Sequence, residues 1–529
     1  MRARFSREKK TSPRNSNNIK NGGVQEMNKK ALIRNMIANI MCFVLNTVIS
    51  FALTTYIING IDGDVYQFVS MANSFTNYVT IITVALNSMA VRYIMISMER
   101  KPEDAKKFYN SVIVANMILA AILVLPSALV VAFCDSFLKI SPAFVVDVKI
   151  NFALIFLNFI ANLVFSTTGQ VYYLTNKLYL NSLRTMESTI IRAVVMFLLF
   201  WLCGDHIYFV AIASIVATVY LTIFNIYYRR KLLPEFRFDP KQYEWKKIKT
   251  LISSGIWNSV TKLSQVLTAE MDVLLTNMFI DKENAEVMAA SKTLPNVVAA
   301  FQVSVASIFT PNLTEIYAKE DKEGLKNAVK SAMRIMTVFT SIPNAMLVAL
   351  GMGLYSLWLP DIPTKTIYIL AVITATNSVV TGILQPIYSI FTITNKVKQN
   401  SIAMTIYGVW SVVTTLLMLK YTSLGIYAIA GVSQIGSIVL AFIFHLPQGS
   451  KALELKKTTF LPEVFISVVS FLILSAVGYG ITLLVPANNW GNLFLCAVFT
   501  GLVGLFINGY LVLNKEQRTM IIGKVLRKS

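Results

Sequence analysis

A chain of 529 residues that is 55% hydrophobic and only 14% charged, with a mean hydropathy of +0.59, lacks the polar surface that a water-soluble protein needs. Long apolar stretches recur over its whole length, as α-helical spanning of a bilayer requires and the short alternating strands of a β-barrel do not. The net charge of +21 would suit nucleic acid, but its distribution follows membrane topology and makes such a partner unnecessary.

Residues 1–30 are polar and basic, and read as a disordered cytoplasmic arm that orients the first helix. The first apolar segment starts near Ala31 and ends at Gly60 without a small-residue cleavage pattern, so a retained helix is expected, not a signal peptide. Apolar spans follow at about 35–58, 66–91, 109–134, 150–174, 186–203, 207–228, 251–280, 287–313, 333–354, 366–393, 400–419, 424–444, 460–484 and 491–513.

Fourteen spans with a cytoplasmic N-terminus place 40 of the 48 Lys and Arg in the arm, the even-numbered loops and the C-terminal tail. Only Lys139, Lys149, Lys282, Lys365 and Lys420 fall on the other side. That asymmetry is what positive-inside sorting predicts for a membrane protein with both termini in the cytoplasm, and a shift by one helix would scramble it. With Arg334, at the inner end of its span, counted among those 40, three cations remain inside spans: Arg192, Lys262 and Lys292.

The chain also repeats itself. Thr175-Asn176-Lys177-Leu178-Tyr179-Leu180-Asn181-Ser182 and Thr394-Asn395-Lys396-Val397-Lys398-Gln399-Asn400-Ser401 share five identities at an offset of 219. Ile207-Tyr208 and Ile426-Tyr427 keep that offset, and Pro126 and Pro343 lie 217 apart. Six spans separate the copies, so the repeats have the same orientation, with the pathway expected between them. The expected fold is an all-α polytopic membrane protein of about fourteen transmembrane helices: two pseudo-symmetric six-helix lobes plus two C-terminal helices. Its segments are the arm 1–30, an N-terminal lobe 31–230, a basic inter-lobe linker 231–250, a C-terminal lobe 251–446, appended helices 447–513 and a basic tail 514–529.

An ionisable side chain at mid-bilayer costs roughly 2.5 to 3.5 kcal/mol on insertion scales, so one that is retained pairs or faces water. Span 7 carries Lys262, Glu270 and Asp272, and Asn258, Lys262, Gln265, Asp272 and Thr276 fall within an arc of roughly 80°. Span 1 aligns Asn35, Asn39, Asn46 and Ser50, with Asn39 matching Asn258 at the repeat offset. Span 2 offers Asn73, Asn77, Thr80 and Asn87, and Lys292 of span 8 occupies the place of Asn73. A central chamber bounded by spans 1, 2, 7 and 8 is expected, polar throughout and cationic in the second lobe. Lys262 and Lys292, with Arg92 and Arg192, are candidates to hold phosphate oxygens. The structural alternatives are an interfacial anchor for Arg92, pairing of Arg192 with Glu187, and neutralisation of Lys262 by Asp272. Asp272 and Glu270 are candidates for coupling to H⁺ or Na⁺, or for plain charge balance.

Cys42, Cys134, Cys203 and Cys496 lack metal or redox spacing, His206 and His445 sit near helix ends, and no resident cofactor is expected. Neither a Walker loop nor HExxH, GxSxG or CxxC is present, which argues against an ATP-driven pump or a hydrolase. The outer loops are too short for a membrane-embedded glycan polymerase, so a secondary transporter is expected and not an enzyme.

The run from Tyr66 to Tyr93, YQFVSMANSFTNYVTIITVALNSMAVRY, resembles the second-helix region of bacterial polysaccharide flippases of the multidrug/oligosaccharidyl-lipid/polysaccharide exporter superfamily. Gly255-Ile256-Trp257-Asn258, Met271-Asp272-Val273-Leu274-Leu275, Lys292-Thr293-Leu294-Pro295 and Leu357-Trp358-Leu359-Pro360 carry the same resemblance. It implies two lobes around a V-shaped cationic cavity that moves an undecaprenyl-diphosphate-linked glycan from the inner to the outer leaflet. Membrane lipids and polysaccharide polymerases or glycosyltransferases are the implied partners. Span 1 offers Asn where lipid II flippases carry arginines, which shifts the expected cargo from the peptidoglycan precursor to a capsule, O-antigen or exopolysaccharide unit. A lipid II flippase and an ion-coupled multidrug/cation antiporter of the same superfamily are the alternatives.

Overall fold

The computed structural model describes residues 29–60, 63–137, 144–204, 206–360, 363–514 and 518; the side chains of several residues inside helices, Asn77 and Glu270 among them, lie outside that description. The arm and most of the basic tail expected from the sequence likewise fall outside the described residues.

Helix is the dominant element because twenty or more apolar residues in lipid must satisfy every backbone group internally. In chain order the helices are α1 (Lys29–Gly60), α2 (Gly63–Asn87), α3 (Ala90–Arg100), α4 (Pro102–Phe137), α5 (Val145–Gly169), α6 (Val171–Leu174), α7 (Leu178–Cys203) and α8 (Phe209–Leu232). A second set comprises α9 (Trp245–Phe279), α10 (Lys282–Ser307), α11 (Thr310–Ala318), α12 (Lys322–Trp358), α13 (Thr364–Ile383), α14 (Gln385–Ile393), α15 (Val397–Tyr421), α16 (Ile426–Leu440) and α17 (Leu446–Ala452). Then come α18 (Leu461–Leu484) and α19 (Trp490–Leu511).

Five pairs (α2/α3, α5/α6, α10/α11, α13/α14 and α16/α17) are single rods broken near one end, so the nineteen helices among the described residues make fourteen rods. Thirteen described helices are long and apolar enough to cross a membrane by composition. The rod missing from that count is α9, whose apolar character is diluted by the same polar stripe that marked span 7. At its far end Asp281 caps α10 by accepting the Asn284 backbone N–H at 2.7 Å, a bond that holds its carboxyl below the usual range.

The two lobes repeat each other contact for contact. In the first, α1 packs on α7, α2 and α4 on α5, and α7 on α8; in the second, α9 packs on α15, α10 and α12 on α13, and α15 on α16. The repeated Thr-Asn-Lys turns are the same C-cap. Asn176 (φ 52°) and Asn395 (φ 60°) both enter the left-handed region, while Lys177 and Lys396 donate their N–H groups to Tyr172 and Phe391 carbonyls at 2.8 Å. This is a Schellman closure with Asn in the place glycine usually takes. The appended α18 and α19 pack on α12, where Ser470 donates to Asn508 Oδ1 at 2.6 Å and Asn508 Nδ2 to Ser341 Oγ at 3.0 Å.

A β-branched residue pays the full steric cost of the left-handed region, about 1 to 2 kcal/mol, whereas glycine pays none. Asn176→Val and Asn395→Val should each lower the melting temperature of the purified protein in detergent, and Asn395→Gly should leave it unchanged or nearly so, whereas Asn176→Gly also loses the bond from the Asn35 amide at 3.2 Å.

Candidate functional site

The lobes touch along α2 with α9 and, related to it by the internal repeat, along α1 with α10; α3 with α11 and α4 with α9 add to the contact. Along the first, Gly255 brings the backbones together: a Cβ there would sit 1.9 Å from the Ala85 carbonyl oxygen. Around it, Asn258 Nδ2 donates to Ser88 Oγ at 2.9 Å, Ser259 Oγ to the Ile81 carbonyl at 2.5 Å, and Tyr93 and Ser254 hydroxyls pair at 2.8 Å. Arg92 Nε donates to the Ile393 carbonyl at 2.7 Å, so a cation of the first lobe closes the C-terminus of α14 in the second. Beyond this seam Arg100 reaches Glu320 at 2.8 Å. All these contacts lie toward the end of the bundle that carries the basic loops, here called the basic face.

At the related α1–α10 line the repeat places Met36 where the seam has Gly255, and α1 and α10 meet over a shorter length. Ser304 Oγ donates to Asn39 Oδ1 at 2.6 Å and Phe43 lies against Phe301, with ring centroids 5.3 Å apart. A cavity of about 450 Å³ opens there, lined by Asn39, Cys42, Phe43, Asn46, Thr47, Ser50 and Ser304. Asn46 is held by Thr189, whose hydroxyl donates to Oδ1 at 2.5 Å.

The charged residues of the expected chamber do not gather at this cavity. Lys292 and Asp272 form a buried ion pair at 2.6 Å inside the second lobe, and Ser433 Oγ of α16 donates to the same carboxylate oxygen at 2.9 Å. Asp272 also floors a pocket of about 300 Å³ between α9 and α15, lined in part by Ser264, Thr405, Ser411 and Thr415. Asp272 therefore does not neutralise Lys262: ten residues along one helix separate them by roughly 15 Å. Lys262 is exposed, one turn beyond Ser259 on the face that meets α2, with no partner among the described residues. Arg192 sits part-buried on α7. Glu187 is engaged by Arg184 at 2.8 Å and by the Tyr220 hydroxyl, because three residues return to the same helical face and five do not. Asn73 and Gln265 are exposed on α2 and α9, and Asn258 is spent on the seam.

Sequence reasoning singled out Asn39, Asn46 and Ser50 but missed Ser304, Phe43 and the seam partner Ser88. Ser304 was within reach, since it stands one repeat offset from Ala85.

A bundle of two repeated six-helix lobes with a polar cavity at their interface, closed at one end, has the architecture of a membrane transporter. The comparisons with known proteins agree. A family model described as "Polysaccharide biosynthesis protein" matches residues 32–317. An uncharacterized membrane protein, EpsK, of Bacillus subtilis (strain 168) is 27% identical over 496 residues, 94% of this chain and 98% of its own. Among solved structures, an outward-facing conformation of a multidrug resistance MATE family transporter of the MOP superfamily superposes with a TM-score of 0.66 at 14% identity, covering 80% of this chain and 96% of that one. A MOP superfamily transporter from Pyrococcus furiosus Vc1 (DSM3638) gives 0.63 at 15% identity over the same shares. At these identities the structural likenesses establish the fold alone. The chain belongs to the polysaccharide biosynthesis protein family.

Removing one partner of a buried ion pair strands the other charge, at about 3 to 5 kcal/mol, whereas replacing both by apolar side chains is often neutral. Lys292→Met should sharply reduce the yield and thermal stability of folded protein. Adding Asp272→Leu should restore most of both, as read by size-exclusion chromatography and melting in detergent.

Proposed function

We propose that this protein is a flippase: it moves an undecaprenyl-diphosphate-linked oligosaccharide repeat unit from the inner to the outer leaflet of the bacterial cytoplasmic membrane, for cell-surface polysaccharide assembly, by alternating access. The observation that carries this reading is the polar cavity between the lobes, sealed on the basic face by the α2–α9 seam, in a chain of the polysaccharide biosynthesis family. With the basic face and both termini in the cytoplasm, as the positive-inside pattern implies, a seam closed on that face is the arrangement expected once cargo has been released outward. Opening the seam and closing the opposite end would present the cavity to the inner leaflet.

In that cycle the glycan enters the cavity, the prenyl chain stays in the bilayer between the lobes, and the diphosphate meets Lys262. Lys262 is the better candidate of the two lysines because it is exposed and without a described partner, whereas Lys292 is held by Asp272. Arg92 acts on the seam instead of on the cargo. Coupling to H⁺ or Na⁺ at Asp272 would require the ion to compete with the Lys292 ammonium and the Ser433 hydroxyl for one carboxylate. A cation antiporter, the reading that the MATE-like fold would otherwise suggest, finds no carboxylate among the described residues lining the cavity. Glycosyltransferases that build the unit and a polymerase that consumes it are the partners this role requires.

Losing one charge-assisted contact to phosphate corresponds to roughly a tenfold change in an equilibrium or rate. In proteoliposomes carrying a fluorescent undecaprenyl-diphosphate oligosaccharide, the intact protein should move label between leaflets, and Lys262→Gln should slow the movement about tenfold with the protein still inserted. No movement by the intact protein would overturn the flippase reading; an unchanged rate in the variant would remove Lys262 from it.

A further inference from the structure

The interlobe cavity was expected to be cationic, yet its described lining carries no charged side chain: it consists of amides, hydroxyls, one thiol and one aromatic ring. The cations of the neighbourhood are committed or set apart. Lys292 is spent on Asp272 within the second lobe, Arg92 on the Ile393 carbonyl, and Lys262 projects from α9 on the α2 side, not among the residues lining the cavity.

The polar groups that remain are arranged as donors. Asn39 and Asn46 both have their Oδ1 atoms occupied, by Ser304 and Thr189. Asn39 Nδ2 has no partner among the described residues, and Asn46 Nδ2 reaches only the Cys42 sulfur at 3.4 Å. The Ser304 and Thr189 hydroxyls thus fix the amides so that their N–H groups are the ones left to a ligand. Phe43 supplies a flat apolar wall within the same lining. Amide N–H groups beside an aromatic face suit the hydroxyl oxygens and C–H faces of a sugar ring. A carboxylate brought against this lining would exchange water for amide and hydroxyl groups and find no counter-charge among the described lining residues, an unfavourable way to bring an ion to a wall.

Resting on the flippase reading, we infer that the cavity selects an uncharged glycan: a repeat unit of neutral sugars, read by Asn39 and Asn46, with the cargo's negative charge confined to its diphosphate. Uronate-bearing or otherwise acidic units are excluded by the neutral lining, not by size.

The test compares two undecaprenyl-diphosphate oligosaccharides of equal length in proteoliposomes, one wholly neutral and one with a single hexuronic acid. The intact protein should move the neutral unit at least about tenfold faster, the ratio expected for one unfavourable ionic contact. Asn46→Lys should raise transport of the uronate-bearing unit and narrow the gap; Asn39→Lys supplies the same test should the first variant fold poorly. Equal or faster movement of the acidic unit by the intact protein would overturn the inference while leaving the flippase reading standing. Failure of both units to move would sink the flippase reading, and this inference with it.

Discussion

The two lobes are held together where the absence of a side chain at Gly255 lets α9 lie on the backbone of α2. A Cβ at that position would overlap the Ala85 carbonyl oxygen, so the contact is available only to glycine. With the backbones this close, short side chains suffice to lock the seam: Asn258 reaches Ser88, Ser259 reaches the Ile81 carbonyl, and Tyr93 meets Ser254. The repeat puts Met36, a buried core residue, at the corresponding place in the first lobe, and the cavity opens further along α1, from Asn39 onward.

Elsewhere each lobe behaves as a packed unit. The Lys292–Asp272 pair and Ser433 tie α10, α9 and α16 together within the second lobe. The Ser341–Ser470–Asn508 bonds fasten α18 and α19 to α12. The α2–α9 seam itself is held by neutral hydroxyl and amide bonds, while the charged lobe-to-lobe contacts, Arg92 with the Ile393 carbonyl and the Arg100–Glu320 and Lys247–Asp104 ion pairs, lie toward the basic face. Neutral hydrogen bonds are individually worth about 1 kcal/mol, so a seam of this kind can be broken and remade, whereas a stranded buried charge could not be tolerated in each cycle.

Much of the fold was legible in the sequence because its signals are local or periodic. Hydropathy marks the rods, and the Thr-Asn-Lys repeat marks two identical helix ends whose asparagines adopt φ of 52° and 60°. The site was legible only in part. The amides of α1 share one face by spacing alone, but which residues of α9 meet which neighbours depends on the relative height of helices far apart in sequence. Hence Asp272 was weighed as a partner for Lys262 on its own helix, although helical rise keeps the two apart and brings Lys292 of α10 to it instead. Part of the α9 stripe also serves packing: Thr261 bonds Ser401 at 2.7 Å and Ser264 bonds Thr405 at 3.1 Å on α15. A polar residue in a membrane helix signals that it needs a partner, and the sequence does not say whether that partner is cargo or another helix.

The central claim is that the α2–α9 seam must open and close for cargo to cross. In protein whose native cysteines have been replaced, Ser88→Cys and Asn258→Cys can be joined by a short reducible linker, since the native side chains already touch at 2.9 Å. Transport of lipid-linked oligosaccharide in proteoliposomes should stop on linking and return on reduction. Undiminished transport with the seam fully linked would contradict the account.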